Sequence, residues 1–315
     1  MAILVVMLKM LSAYIAHTLL CFACDLRWGK SQALKTLELE SSKKVVVMND
    51  MSDVNYISQA NATNEAENRV LDIVSLYPKD MNIYGDYGNV LTIMRRAELY
   101  GYKPVLHEYN VGDDWPKRVD MILGGGGQDH GQSRVTDDLF ARADAIRELA
   151  KNGVPMLMIC GLYQLFGEYF ETIEGQKLKG IGILGEHTVG QDVRMIGNLV
   201  EHSADFGDIV GYENHSGRTS LQDGTQPLGL VDGENCGNNG EDHTEGARKY
   251  NVIGTYMHGS VLPKNPRLAD FLIRTAAQNR YGEFAPKQSD AQRAELAKLD
   301  ELAERARKVA VTRPR

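Results

Sequence analysis

From Val70 onward the apolar positions fall into short blocks whose period changes along the chain. Val70-Leu71-Asp72-Ile73-Val74-Ser75-Leu76-Tyr77 reads as a strand ended by Pro78. In Asn89–Tyr100, Val90, Leu91, Ile93, Met94 and Leu99 recur at helical spacing, and Gly101 stops the helix. Pro104–Tyr109 predicts a second strand. Val119-Asp120-Met121-Ile122-Leu123 predicts a third, running into Gly124-Gly125-Gly126-Gly127. Val135–Asn152 predicts one helix, with Leu139, Phe140, Ala143, Ile146 and Leu149 on one face. After Gly153, Val154-Pro155-Met156-Leu157-Met158-Ile159 is a wholly apolar strand. Strands alternating with helices predict an α/β fold, a mostly parallel sheet flanked by helices. In such sheets ligands sit beyond the carboxyl ends of the strands. Cys160 and the four glycines both fall there.

The pattern weakens beyond residue 180, where glycine and polar residues are denser. Residues 221–247 read as a long surface loop. Val252–Met257 reads as a strand and Pro266–Arg280 as a helix. Ser289–Lys308 predicts a charged amphipathic helix with Leu296, Leu299 and Leu302 on its apolar side. At the other end, Met1–Cys24 is apolar, but its longest uncharged run, Met10–Cys24, falls short of the roughly 20 residues a spanning helix needs. A weak membrane-associating segment, a signal-like segment and translation upstream of a later start at Met48 or Met51 all stay open. Cys21 and Cys24 lack the second ligand pair or strand–helix setting that zinc or redox chemistry requires. Residues 37–68 read as linker. The expected organisation is an extension over 1–67, one domain over 68–281 and a charged helical tail over 282–315.

Composition narrows the function. The chain has 315 residues, 43% of them hydrophobic, with a net charge of −7. That argues against global disorder and a multispan membrane protein. It also offers no basic footprint for nucleic acid. Four cysteines do not make a disulfide framework in a chain of this length, which points to a reducing, cytoplasmic setting.

The strongest local signal is Met156-Leu157-Met158-Ile159-Cys160-Gly161-Leu162-Tyr163-Gln164. A buried strand breaks at a cysteine, a glycine follows and a helix begins, as in a nucleophile elbow. The following helix N-terminus favours thiolate and offers backbone N–H groups. A buried structural cysteine fits the same pattern. His258, in Gly254-Thr255-Tyr256-Met257-His258-Gly259, also follows a strand, at the same expected sheet edge, and could take the thiol proton. Gly126, Gly127 and Gly161 could bring N–H groups close to a substrate carbonyl oxygen, or simply make turns. The glycines are not a nucleotide loop, because no Lys-Ser/Thr follows them and the spaced Gly-x-Gly-x-x-Gly pattern is missing. His130, His187, His202 and His243 do not make a metal set by spacing.

Together, Cys160-Gly161-x-Tyr163-Gln164-x-x-Gly167, Gly124–Asp129 and His258-Gly259 resemble class I glutamine amidotransferases of the cobyric-acid-synthase type, whose architecture is flavodoxin-like. Asn82–Asn89, Gly211–Thr219 and Gly254–Pro266 bring the resemblance closer to the GatD-type glutaminase subunits of lipid II isoglutaminyl synthases. It covers about residue 69 to the end. The resemblance implies glutamine hydrolysis, with ammonia passed to MurT, a Mur-ligase-like ATPase that amidates the D-glutamate of the lipid II stem peptide. It implies Cys160 as nucleophile, His258 as base, Asp86 as the third member of the triad and Arg194 as the residue holding glutamine. No cofactor is expected in this subunit; ATP and a metal ion are expected on the partner. The place of work implied is the cytoplasm, the inner face of the membrane included.

The chain departs from the wider class at three positions. Met158 and Leu162 stand where glycines flank the nucleophile, and Ser260 stands where a glutamate usually follows the histidine. Ser260 cannot orient an imidazolium as a carboxylate does, which favours Asp86. Two other functions remain at this point: amidation of another acceptor such as a corrinoid carboxylate, and a non-catalytic module on the same fold. Asn214 and His215 could line the glutamine pocket or lie in a turn. Cys236 is expected in a loop, and the C-terminal helix could contact the synthetase or simply face solvent.

Overall fold

The computed structural model describes residues 69–313, apart from residues 223 and 259. Met1–Cys24, the Cys21–Cys24 pair, the 37–68 stretch and Gly259 lie outside the described residues. No helix among the described residues is long and apolar enough to cross a membrane.

The alternation seen in sequence builds the first sheet. β1 (Val70–Leu76) leads through a single 3₁₀ turn, Ile83–Gly85, into α1 (Tyr87–Leu99). Gly101, at φ +82°, supplies the left-handed residue that ends α1. β2 (Lys103–Tyr109) and β3 (Met121–Gly124) follow. The helix expected over 135–152 is instead two, α2 (Asp129–Ala141) and α3 (Ala143–Lys151), broken at Arg142. There the chain tightens, with the Arg142 N–H bonded to the Asp138 and Leu139 carbonyls, and the Arg142 Nε donates to the Tyr109 hydroxyl at 2.9 Å. β4 (Met156–Ile159) then runs into the short helix α4 (Gly161–Phe166).

The second half departs further from the sequence reading. β5 (Tyr169–Glu171) and β6 (Lys177–Lys179) precede a long antiparallel hairpin, β7 (Glu186–Ser203) and β8 (Gly207–Leu221). Its alternation is hidden because the buried positions of β8 include Gly211, Glu213, His215, Gly217 and Thr219. A strand whose inward face is polar or glycine shows no period-2 hydropathy. The expected surface loop at 221–247 also contains β9 (Gly229–Val231) and β10 (Thr244–Glu245), and it buries Cys236 and Asn238. The Asn238 carboxamide explains that burial. It donates to Thr244 Oγ1 and the Gly246 carbonyl, each at 2.9 Å, and accepts from the Tyr163 hydroxyl at 3.0 Å.

After β11 (Ala247–Lys249), the strand expected over 252–257 breaks into β12 (Val252–Thr255) and β13 (Met257–His258). The Tyr256 N–H donates to Glu245 Oε1 at 2.8 Å and the Met257 N–H to Thr255 Oγ1 at 3.0 Å. Those bonds take the backbone off one sheet and onto the other, where β13 pairs with β8. Helices α5 (Val261–Lys264), α6 (Pro266–Tyr281) and α7 (Asp290–Ala310) close the chain. α7 lies against α1, with Arg95 bonded to Glu295 at 2.5 Å and Arg96 to Asp300 at 2.7 Å.

The first sheet has the order β11-β12-β4-β3-β1-β2. Every pairing in it is parallel except β11 with β12. β3, β4 and β12 are buried throughout, as parallel strands covered on both faces must be. The fold is therefore α/β with a mostly parallel sheet, as expected, plus a second, mainly antiparallel sheet. The register sets Leu76 opposite Gly124, Gly124 opposite Met158 and Met158 opposite Gly254. Four strands thus end level, and the chain just beyond each end carries a candidate site residue.

Candidate active site

Cys160 sits at the turn between β4 and α4 with φ 49° and ψ −100°. That is a strained conformation for a residue with a Cβ, held by the Cys160 N–H donating to the Thr255 carbonyl at 2.8 Å. The strained residue stands where β4 ends and α4 begins, as in an elbow. Gly161 follows because a Cβ there would lie 2.8 Å from Met81 Cε and 3.0 Å from the Gly127 nitrogen.

His258 reaches this turn from β13 and is fully buried. Its Nδ1 lies 3.1 Å from Asp86 Oδ2 and 3.3 Å from Oδ1. Its Nε2 is buried with no other partner, and the imidazole interacts with Cys160. Burial disfavours the imidazolium, but Cys160 and the Asp86 carboxylate more than offset it, and the pKa of His258 is pushed up to about 10. Asp86, beyond the end of β1, turns its carboxylate from the α1 N-terminus toward the histidine.

Gly126 is where these parts meet. A Cβ at this position would come within 2.6 Å of His258 Cε1 and 3.1 Å of Cys160 Cβ. Its absence lets the imidazole pass over the glycine loop to Asp86. The Gly126 N–H donates to Asp86 Oδ2 at 2.8 Å. That corrects the expectation that this N–H faces a substrate oxygen: it is committed to orienting the carboxylate. Gly127 and Gly161 remain the nearby backbone donors.

Ser260 has a different job from the glutamate it replaces. Its Oγ donates to the Gly85 carbonyl at 2.6 Å, fastening the chain after His258 to the loop that carries Asp86. A second tie runs from the Leu262 N–H to Asn89 Oδ1 at 2.9 Å. Neither tie leaves a local signal in the sequence, although Asn89 and Ser260 lie within the motifs that carry the resemblance.

A cleft of about 390 Å³ opens beside Cys160. Gly127, Gln164, Arg194, Asn214 and His215 are among the residues that line it. Arg194 projects from β7, far from Cys160 in sequence, and is held by Asn214 on β8. Asn214 and His215 lie in a strand rather than a turn. The His215 ring stacks on Tyr256 with centroids 3.6 Å apart, and burial lowers its pKa. Beneath it, Gln132 donates to Gln164 Oε1 at 2.7 Å, and Gln164 donates to the Tyr256 hydroxyl at 3.1 Å. This chain supports the α4 turn from below and had no signal in the sequence. Among the described residues, no group of three or more His, Cys, Asp or Glu could hold a metal ion.

A thiol on a strained turn, a histidine facing it and a carboxylate fixing that histidine are the parts of a nucleophile, base and orienting acid. Residues 72–266 match the model of the CobB/CobQ-like glutamine amidotransferase domain. The chain belongs to that family. Among curated relatives, the amidotransferase is 40% identical over 216 residues to the lipid II isoglutaminyl synthase (glutamine-hydrolyzing) subunit GatD of Streptococcus pneumoniae, covering 68% of this chain and 83% of that one. It is 37% identical over 237 residues to the subunit of the same name from Staphylococcus aureus, covering 75% of this chain and 96% of that one. A cobyric acid synthase from Pelotomaculum thermopropionicum is 34% identical over 148 residues, covering 41% of this chain and only 28% of the synthase.

Proposed function

We propose that the amidotransferase hydrolyses L-glutamine through a Cys160 thioester and delivers the ammonia to a Mur-ligase-like, ATP-dependent partner of the MurT type. That partner then amidates the D-glutamate of the lipid II stem peptide. The observation that carries the chemistry is His258, with Nδ1 fixed by Asp86 and Nε2 unpartnered beside Cys160. The acceptor is supported by the names of the two relatives whose length is mostly covered. The cobyric acid synthase match spans about a quarter of that protein and gives weaker support to a corrinoid carboxylate.

The reaction starts from a thiolate–imidazolium pair. The Cys160 thiolate attacks the glutamine carboxamide carbon, and the oxygen takes up negative charge facing the backbone N–H groups of Gly127 and Gly161. His258 gives its proton to the departing nitrogen, ammonia leaves, and the acyl group stays on sulfur. Neutral His258 then takes a proton from water, which attacks the thioester and releases glutamate. Arg194 holds the substrate through its carboxylate. No step calls for a cofactor in this chain; ATP and its metal ion belong to the partner's amidation. The work takes place in the cytoplasm, where lipid-linked precursors are within reach at the inner membrane face.

Cys160→Ser should release no ammonia above background from glutamine, because the alcohol is a far weaker nucleophile beside this histidine. Near-wild-type release by that variant would end the thioester reading. Co-expression with a Mur-ligase-like protein should give a complex that amidates lipid II in the presence of ATP. Amidation only with an unrelated synthetase would overturn the acceptor.

A further inference from the structure

Arg194 is exposed on β7, where a long side chain would ordinarily sample many rotamers. Instead it is fixed at two points. Its Nε donates to Asn214 Oδ1 and its Nη2 to the Asn214 carbonyl, each at 2.9 Å. These bonds commit one edge of the guanidinium and leave Nη1 uncommitted to Asn214. Asn214 is itself fixed from across the cleft, where its Nδ2 donates to the Tyr84 hydroxyl at 2.8 Å.

Tyr84 is an unusual residue to find there. It is 45% exposed, yet it holds a left-handed backbone at φ 57° and ψ 19°. Glycine would occupy that conformation without strain. Its ring meets His258 edge-on, with centroids 4.9 Å apart and planes at 75°. Tyr84 therefore spans from the loop carrying Asp86 to the strand that anchors Arg194. All three side chains line the cleft that contains Cys160.

We propose that Tyr84 and Asn214 form a strap that holds Arg194 in place for the α-carboxylate of glutamine, and so select amides that carry that carboxylate. Both are positioning residues, since they act on the substrate through Arg194. The inference rests on the reading of Arg194 as the glutamine ligand. The physical reason is preorganisation: a planar fork already held in one orientation loses less freedom when it binds a carboxylate.

The test compares two substrates of the full-length chain, L-glutamine and 4-aminobutanamide, which is glutamine without its carboxylate. Tyr84→Phe keeps the ring against His258 and removes only the hydroxyl. It should raise KM for L-glutamine about tenfold, the scale of one hydrogen bond to a charged network, with kcat within about twofold. Turnover of 4-aminobutanamide should be unchanged. Asn214→Ala removes the side-chain anchor of Arg194 Nε together with the tie to Tyr84, leaving only the backbone carbonyl, and should raise KM further in the same selective way. Arg194→Ala is the control and should abolish the preference for L-glutamine. If Arg194→Ala abolishes the preference while Tyr84→Phe and Asn214→Ala keep wild-type KM values, the strap is overturned and the Arg194 reading survives. If Arg194→Ala keeps the preference, the Arg194 reading itself fails. Equal slowing of both amides by Tyr84→Phe would mark a general packing role and would also overturn the strap.

Discussion

The two sheets meet at the cleft but are built on different terms. The parallel sheet has an apolar interior, with β3, β4 and β12 wholly buried. Its reactive groups lie just past its strand ends, where loops are free to carry polar side chains. The antiparallel sheet buries polar groups within its strands. Glu186, Glu201, Glu213 and Glu245 are all fully shielded from solvent. Burial pushes the Glu186 and Glu201 carboxyls well above the usual carboxylate range, and Glu245 up to about 7. The first sheet is thus held by hydrophobic burial. The second buries several protonated or hydrogen-bonded acids, and these give its stability a pH dependence.

The largest effect expected from a test of this contrast falls on the seam between glycine loop and histidine. Gly126→Ala puts a methyl group 2.6 Å from His258 Cε1. Either the imidazole or the loop must move, and a displacement of even 1 Å costs about a hundredfold in turnover. The kcat for glutamine should fall by at least that factor, with a loss of about 1–3 kcal/mol in unfolding free energy from overpacking. Unchanged kcat would show that Gly126 is only a turn.

A smaller effect is expected from Asp86→Asn. The carboxylate is one of the charges that raise the His258 pKa, so its loss lowers that pKa. The proton needed by departing ammonia is then lost at lower pH, and the alkaline limb of the pH–rate profile should move down from the region of pH 10. A limb that stays in place would remove Asp86 from the triad.

The mildest effect concerns the second sheet. Glu245 binds its proton more tightly folded than unfolded, so its contribution to stability is complete below its unfolded pKa and is lost as pH rises toward about 7. Glu245→Gln should flatten that decline in thermal melts between pH 4.5 and pH 7. Glutaminase activity should stay within about threefold, since the amide keeps an acceptor for Thr255 and the Tyr256 N–H. A melt curve as steep as the wild type would place the pH dependence elsewhere.

The same contrast explains what could be read from the chain. Periods of apolar residues marked β1, α1, β2, β3 and β4, and the ends of β3 and β4 pointed to the glycine loop and Cys160. The hairpin β7–β8 left no such mark because glutamate, threonine, histidine and glycine occupy its buried face. The break at Tyr256 was equally silent, since it depends on Glu245 accepting a bond from the Tyr256 N–H. Arg194 and Asp86 were reached through motif resemblance and not through periodicity. Tyr84, Ser260 and Gln132 had no local signal, because each acts on a partner distant in sequence.

The sequence by itself determined the nucleophile candidate, its histidine and the parallel α/β frame. These rest on local rules: a strand that buries both faces, a turn that needs glycine, and a helix that starts at once. Tertiary structure alone decided how the Asp86 carboxylate meets the histidine, that the Gly126 N–H serves Asp86 and how Arg194 is held. Those outcomes depend on strands ending level and on groups brought within 3 Å across long stretches of chain, such as the 2.8 Å bond from Gly126 to Asp86. Hydrogen bonds of that reach fall off within a fraction of an ångström, so only the assembled fold specifies them.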